Sequence, residues 1–280
     1  MSMILMYITN NIEQAEAAQS SGIDRIFVDL EKRGKRERQS GFGSYHISDH
    51  LMSDVRKIKR VIGKSKLLVR INPISASSGT EIEEVISDGA EIIMLPMAKT
   101  INEIERFISL VDSRAVTNIL LETKEACMAI DDILRLQGID EIHIGLNDLH
   151  LSFGMKFLFE PLSNGCLDEL SRKITGRGIR FGFGGIGRIG EGLLPAHLIL
   201  AEHYRLRSEM VILSRSFRYG DIATCENPSL DLAAEVSKIR DYEKVLSKWS
   251  LSRFEENRIN VKKYVEEISG KINRKDRSKE

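Results

Sequence analysis

The sequence is poor in the residue types that mark several classes of protein. Its 280 residues include three cysteines, five prolines and one tryptophan, and aromatic residues make up 6% of the chain. Cys127, Cys166 and Cys225 are too far apart for a C-x-x-C motif, so neither a disulfide framework nor a thiolate metal site is expected. So few cysteines fit a reducing, cytoplasmic compartment.

The chain also lacks an excess of either charge. Lys plus Arg and Asp plus Glu both number 41, so no summed positive field exists to attract nucleic acid or an anionic membrane surface. The N-terminal apolar run covers only residues 3–8, which is too short for a membrane span or the core of a signal peptide. We therefore expect a small-molecule partner, with no nucleic acid and no membrane.

A regular alternation of short apolar runs and helical patterns is the strongest feature present. The runs are rich in Ile, Val, Leu and Met and show little polar alternation, as expected for parallel strands buried on both faces. They cover residues 3–9, 24–31, 66–73, 91–96, 117–122, 141–148, 180–185 and 210–216. Eight such units predict an α/β fold that closes into a (β/α)8 TIM barrel.

Local signals support this organisation and suggest an extension. Asn11 precedes one helical pattern, and Thr100 with Glu103 has the spacing of a capping box before another. No linker divides the chain, so residues 1–220 are predicted to form the barrel catalytic domain. Residues 221–270 are predicted to form a charged C-terminal helical extension, and residues 271–280 a disordered tail. Such an extension favours a homo-oligomer.

Charged residues follow several of the predicted strands. Asp29 and Glu31 lie near the end of the second run and Arg70 near the end of the third, while Glu122 ends the fifth and Asp148 the sixth. A single acid after a strand usually caps the next helix, and Asp148 alone would be read that way. Several unpaired carboxylates on one barrel face would cost on the order of several kcal/mol each, so a cation is expected there. Carboxylate oxygens with open positions suit Mg²⁺ or Mn²⁺.

The order of these motifs resembles a known family. The segments are DLE at 29–31, LVRINP at 68–73, GAEIIMLP at 89–96, LET at 121–123 and GLNDL at 145–149. Over roughly residues 3–217 they resemble the HpcH/HpaI aldolase and citrate lyase β-subunit family. The resemblance implies a metal-dependent carbon–carbon lyase that acts through a pyruvate-type enolate of a small 2-oxo acid, with an aldehyde as the second substrate.

The resemblance also assigns roles to the matching residues. Glu122 and Asp148 would be the metal ligands, and Arg70 would face the keto oxygen, where negative charge develops. The backbone N–H groups of Gly145 and Leu146 would cradle the substrate carboxylate.

The segment after the second strand departs from the family pattern. Pyruvate aldolases of the family have an Asp-Gly-Glu-His stretch there, whereas this chain has Asp29, Leu30, Glu31 and Lys32. Asp29 is still expected at the catalytic centre and Glu31 at the substrate, while Pro96 would shape the neighbouring strand end. Citrate-lyase-like members have an Asp-Leu-Glu-Asp type of sequence and act on acyl-CoA thioesters, so that activity remains an alternative.

A basic loop follows directly, with five cations in residues 32–38. Most isolated basic runs are solvated loops, but the position of this one favours contact with an anionic substrate tail. His46 is the candidate replacement base, because imidazole titrates near neutral pH. Lys32 is the alternative base, provided that its ammonium loses its proton near neutral pH. His50 is expected on a helix surface.

Glycines and arginines cluster late in the chain. The G-x-G-x-x-G spacing at residues 182–187 lacks the context of a dinucleotide site, so a Rossmann site is not expected. After the seventh strand of a barrel, glycines let the backbone approach an anion, and Arg188 and Arg215 could bind it. For Arg215 a structural ion pair is equally consistent. His143 is expected to be a core histidine, and His203 a packing or surface residue.

Three functions remain open from sequence. The leading one is the metal-dependent aldolase-type lyase, and the second is a citrate-lyase-like enzyme for an acyl-CoA thioester. The third is a non-catalytic barrel that serves binding or assembly, which the charged C-terminal helices and the missing histidine would fit. Against the third, the two carboxylates and the arginine are present with glycines beside them, which a non-catalytic barrel has no chemical need to keep.

Overall fold

Eight parallel strands close into a barrel in chain order, with β8 pairing back to β1. The computed structural model describes residues 2–34, 49–218 and 230–277. The strands are β1 Ile4–Ile8, β2 Arg25–Asp29, β3 Lys66–Arg70, β4 Ile92–Leu95, β5 Val116–Leu121, β6 Glu141–Ile144, β7 Arg180–Ile186 and β8 Met210–Leu213. The predicted TIM barrel is confirmed, and each strand lies within or beside its predicted run.

Helices follow the strands on the outside of the barrel. They are α1 Ile12–Ser20, α2 Met52–Val61, α3 Ser78–Ser87, α4 Ile101–Val111, α5 Lys124–Met128, α6 Ile130–Ile133, α7 Leu146–Ser152, α8 Glu160–Ser163, α9 Cys166–Gly176, α10 Ala196–Leu206, α11 Leu232–Leu246 and α12 Leu251–Arg277. The Asn11 side chain caps α1, accepting from Gln14 N at 2.9 Å. Thr100 and Glu103 form the predicted capping box of α4.

The core has two parts because alternate strand residues face opposite sides of the barrel wall. The larger part lies between the strands and the surrounding helices. The smaller part fills the barrel interior with large side chains, namely Met6, Phe27, Leu68, Ile92, Met94, Leu120 and Met210. The interior is therefore packed rather than hollow, and a ligand must bind at one of its ends.

A buried ion pair closes the end of the barrel where the strands begin. Arg25 donates two hydrogen bonds of 2.6 Å to the carboxylate of Glu141. Asn118 and Arg180 donate to the same carboxylate at 3.0 and 3.1 Å. Four strands thus share one polar centre, which leaves the opposite, carboxyl end of the strands for the site.

The first helix of the C-terminal extension is fastened to the start of the barrel. Glu243 on α11 accepts a hydrogen bond from Met3 N at 2.6 Å. Arg240 on the same helix donates to Met3 O at 2.7 Å and to Asp24 Oδ2 at 2.9 Å. The helix therefore covers the amino ends of β1 and β2.

The last helix, α12, packs along α10 and α8. Asn257 donates to Glu202 Oε1 at 2.8 Å and to Leu198 O at 3.1 Å, which fixes α12 on α10. The helix reaches Arg277, so residues 271–277 are helical where composition predicted disorder; lysine and arginine, which are frequent there, are good helix formers. Among the described residues, none of the helices is long and apolar enough to cross a membrane.

Candidate active site

Four of the predicted site residues lie at the carboxyl ends of two pairs of neighbouring strands, β2 with β3 and β5 with β6. Asp29 and Arg70 are the last residues of β2 and β3 and are direct partners in the strand register. Glu122 follows β5, and Asp148 lies in the first turn of α7, directly after β6. Because parallel strands bring their carboxyl ends to one edge, the sequence places these side chains around one opening.

Arg70 is held by two carboxylates. Its Nε and Nη2 donate to the two carboxylate oxygens of Asp29 at 2.8 Å each, and Nη2 lies 3.4 Å from Glu31 Oε2. The guanidinium also lies 5.6 Å from the centre of the Phe27 ring. Burial alone would lower the pKa of Arg70, but Asp29 and Glu31 outweigh burial and raise it. The cation is thus fixed in place and permanently charged, with Nη1 bonded to none of the described residues.

Glu122 is a buried carboxylate with a defined orientation. Its Oε1 accepts a hydrogen bond from Met97 N at 3.0 Å. Met97 has a φ of 57°, and it follows the buried Pro96 at the end of β4. On the other side, a Cβ added to Gly145 would lie 2.7 Å from Glu122 Oε2. Only glycine at position 145 therefore leaves room for this carboxylate.

The electrostatics of Glu122 fit a bound cation. Burial raises the pKa of Glu122 well above its usual range, and the negative charges of Asp148 and Glu31 raise it further. Arg70 opposes this effect but does not cancel it. A divalent cation between Glu122 and Asp148 would compensate the repulsion with oxygen ligands, which Mg²⁺ and Mn²⁺ prefer. Over residues 2–34, 49–218 and 230–277, no group of three or more His, Cys, Asp or Glu side chains could hold a metal ion.

A family model described as HpcH/HpaI aldolase/citrate lyase matches residues 3–158, more than half of the chain. The chain belongs to this family. The match contains the strand ends that carry Asp29, Arg70, Glu122 and Asp148. The family comprises enzymes of the aldolase and citrate lyase type. A search of curated proteins found no match.

Solved structures share the fold of this HpcH/HpaI family member. An HpcH/HpaI aldolase from Desulfitobacterium hafniense DCB-2 is similar with a TM-score of 0.57 and 16% identity, over 89% of this chain and 95% of that one. A family protein from Burkholderia cenocepacia J2315 gives a TM-score of 0.60 and 13% identity, over 88% and 95%. Citrate synthase SbnG gives 0.55 and 17%, over 76% and 86%. At these identities the likeness concerns the fold.

Gly145, one of the two residues whose backbone N–H was predicted to bind the substrate carboxylate, already donates this N–H within the protein. The N–H of Gly145 donates to Leu121 O at 3.1 Å, so the expectation that it cradles a carboxylate is wrong. The bond arises because Gly145 continues the pairing of β6 with β5 beyond the last strand residue. Leu146 begins α7, where backbone N–H groups have no partner within the helix. The prediction for Leu146 therefore stands as a proposal.

His50 was expected on a helix surface, and this expectation is wrong. The side chain is 5% exposed, and its Nδ1 accepts a hydrogen bond from Asp29 N at 2.9 Å. Burial lowers the pKa of His50 to about 4, so the ring is neutral near pH 7. His50 precedes α2 and supports the strand end that carries Asp29. In the sequence His50 is simply a polar residue before an amphipathic helix, and that pattern does not reveal its contact with Asp29.

The start of the basic loop contacts the turn that follows β3. The Lys32 side chain is exposed, and the N–H groups of Lys32 and Arg33 donate to Asn72 Oδ1 at 3.0 and 3.2 Å. Arg33 also donates to Ser77 Oγ at 2.8 Å. The loop therefore begins against the turn after β3. His46, the candidate base, lies outside the described residues.

The two late arginines differ in their surroundings. Arg188 pairs with Glu191, its Nε donating to Glu191 Oε2 at 3.0 Å. Arg215 is exposed at the end of β8 and forms no ion pair within the described part of the chain. A structural ion pair, the alternative for Arg215, is therefore not seen there.

Two further histidines, His143 and His203, are buried, and burial was expected for His143. His143 is fully buried, with Nε2 3.1 Å from Gly184 O, as a core histidine should be. His203 is also fully buried, stacked on Phe183 with ring centroids 3.7 Å apart and bonded to Ser208 Oγ at 2.7 Å. It is a packing residue of α10.

Proposed function

We propose that the chain is a carbon–carbon lyase that depends on Mg²⁺ or Mn²⁺ and acts through a pyruvate-type enolate of a small 2-oxo acid. An aldehyde is the other product of cleavage, or the second substrate in the direction of synthesis. One observation carries this proposal. Burial together with Asp148 and Glu31 places Glu122 in an environment that disfavours its charge, beside a permanently charged Arg70.

The metal would be held by Glu122 and Asp148, with its other positions left to water and substrate. The hydrogen bond from Met97 N orients one oxygen of Glu122, and the absence of a side chain at Gly145 leaves room for the other. When bound, the ion supplies Lewis-acid polarisation to the keto group of the 2-oxo acid. Two protein carboxylates with open positions match the preference of Mg²⁺ for water and substrate ligands.

Arg70 contributes a fixed positive charge where negative charge develops. Asp29 binds two of its nitrogens, so the guanidinium does not reorganise when the enolate oxygen forms. Glu31 adds a further contact at 3.4 Å. Nη1 is the nitrogen directed to the keto oxygen in this proposal. The Leu146 N–H binds the substrate carboxylate, and Pro96 sets the path of the chain into Met97.

Aldol cleavage also needs a base that takes the proton from the substrate hydroxyl. His50 does not fill this role, because it is buried and its Nδ1 is bonded to Asp29 N. We propose His46 as the base, carried by the loop that follows Glu31. Lys32 is the second candidate, since it is exposed at the start of the same loop.

Turnover by the chelator-stripped protein tests the proposal. Oxaloacetate, and pyruvate with assorted aldehydes, are supplied with and without Mg²⁺ or Mn²⁺, and pyruvate gained or lost is measured. We expect metal-dependent turnover that is lost in Glu122→Ala and Asp148→Ala. Glu105→Ala serves as the control, because Glu105 is an exposed carboxylate on α4.

The other outcomes separate the alternatives. Metal binding without turnover of any 2-oxo acid would move acyl-CoA thioesters, the substrates of citrate-lyase-like members, to first place. Absence of both metal binding and turnover would contradict the proposal and favour a non-catalytic barrel.

A further inference from the structure

Two adjacent hydroxyl groups follow the carboxyl end of β8, beside the end of β7. Ser214 Oγ and Ser216 Oγ lie 2.9 Å apart, and both side chains are half-buried. A Cβ added to Gly187, just after β7, would lie 4.0 and 3.9 Å from these two oxygens. Because Gly187 has no side chain, the two hydroxyls lie next to the backbone that follows β7.

The charge beside these hydroxyls is positive. Arg215 lies between the two serines in the chain, and its exposed side chain makes no hydrogen bond or ion pair with the described residues. Arg218, one turn further, is close enough for its charge to interact with Arg215 and Asp29. Arg188 on the β7 side is already neutralised by Glu191. Within the described part of this edge, Arg215 is thus the arginine whose side chain has no carboxylate partner.

The mouth of the barrel is therefore electrostatically divided. The ends of β5 and β6 carry the carboxylates Glu122 and Asp148, whereas the end of β8 carries Arg215 and Arg218. A substrate that spans the opening would meet a metal at one end and a cation at the other. Such a division favours an acceptor that carries its own negative charge at the end remote from the reacting carbon.

We propose that Ser214, Ser216 and Arg215 bind a phosphate monoester on the acceptor aldehyde. The proposal rests on the function proposed above, because the reacting end of the same substrate would lie at Glu122 and Asp148. A phosphate offers three oxygens, which suit one guanidinium and two hydroxyls that rotate out of their mutual hydrogen bond better than the two oxygens of a carboxylate do. Loops after the seventh and eighth strands of barrels often bind phosphate.

Calorimetric titration of inorganic phosphate into the full chain tests this site. The buffer contains a chelator and no pyruvate, so the readout depends on neither metal nor turnover. We expect measurable binding that weakens about tenfold or more in Arg215→Ala. Ser216→Ala should weaken it as well, and Arg215→Lys should retain part of it. Arg172→Ala, at an exposed arginine on α9, should bind phosphate like the wild type.

Two results would overturn the proposal. One is no phosphate binding by the wild type at millimolar concentration; the other is equal binding by the wild type and Arg215→Ala. Acetate that binds as tightly as phosphate would overturn the assignment to a phosphate group. Exchange of the methyl protons of pyruvate with D₂O, measured separately with Mn²⁺, reports on the metal end. Phosphate binding without proton exchange would refute the proposed lyase but leave the phosphate site. Proton exchange without phosphate binding would refute the phosphate site but leave the proposed lyase.

Discussion

Asp29 presents both of its carboxylate oxygens to Arg70, at 2.8 Å each. The two residues are the last of neighbouring strands and are paired in register, so the backbone itself sets their separation. His50 bonds the backbone N–H of Asp29, which anchors the pair from outside the barrel. Asp29 therefore acts in this account as the residue that positions Arg70.

Removal of the Asp29 carboxylate should cost stability. In Asp29→Ala, Arg70 would lose both of its 2.8 Å hydrogen bonds and keep the longer 3.4 Å contact with Glu31, while its side chain is only 14% exposed to water. We expect the free energy of unfolding to fall by about 3 kcal/mol, as for other buried pairs that lose one partner. Urea denaturation measures the change. Asp241→Ala, which breaks an exposed pair with Lys244, should cost less than about 1 kcal/mol; equal losses would contradict the account.

Buried histidines should make stability fall in acid. Burial lowers the pKa of His50 to about 4, below its ordinary 6.5, so the unfolded chain binds a proton that the folded chain does not. The contribution of neutral His50 to the stability of the folded chain is fully present above pH 6.5 and is lost as the pH falls towards about 4. His50→Asn keeps an acceptor for Asp29 N but does not titrate. The drop in unfolding free energy from pH 7 to pH 5 should therefore be smaller in the variant than in the wild type, by up to about 1.4 kcal/mol per pH unit. An equal drop in both proteins would refute the role of His50.

The backbone of Met97 should favour glycine. Its φ of 57° lies in the left-handed region, which costs a residue with a Cβ about 1–2 kcal/mol relative to glycine. Met97→Gly should therefore be more stable than Met97→Ala by about 1 kcal/mol. Thermal or urea unfolding measures the order. At Glu105, inside α4, the order should reverse, because glycine weakens a helix by about 1 kcal/mol. The same order of stability at both positions would contradict the left-handed backbone conformation of Met97.

The polar centre at the closed end should affect stability without affecting metal binding. Glu141→Ala leaves Arg25 buried without its partner and should lower the free energy of unfolding by about 3–5 kcal/mol. Affinity for Mn²⁺, measured on the folded variant, should stay within about twofold of the wild type, because the metal site is at the opposite end. Loss of metal binding by the folded variant would show that the two ends are coupled.

The barrel could be predicted from sequence because every strand is buried on both faces. Runs such as residues 91–96 are apolar throughout, and the eight runs match the strands that pair in chain order. Strand ends were predicted too long by up to four residues, as at β6, which ends at Ile144 instead of residue 148. Periodicity does not show where pairing stops, and α7 begins at Leu146, immediately after Gly145.

The candidate site was predictable where it depends on strand ends and not where it depends on contacts between loops. Asp29, Arg70 and Glu122 follow from the barrel topology alone. The contact of Met97 N with Glu122 requires a left-handed backbone at a non-glycine residue, for which the sequence carries no signal. His50 was missed because its burial accompanies a hydrogen bond with the backbone of Asp29, 21 residues away in the chain.

Calorimetric titration of Mn²⁺ into the chelator-stripped protein tests the central claim most directly, because it asks whether Glu122 and Asp148 hold a metal before any substrate is chosen. The account predicts binding near one equivalent that weakens about tenfold or more in Glu122→Gln and in Asp148→Asn, each of which keeps the side-chain shape but removes the charge. Glu105→Gln should bind like the wild type. Absence of binding, or equal affinity in the wild type and the two site variants, would contradict the account.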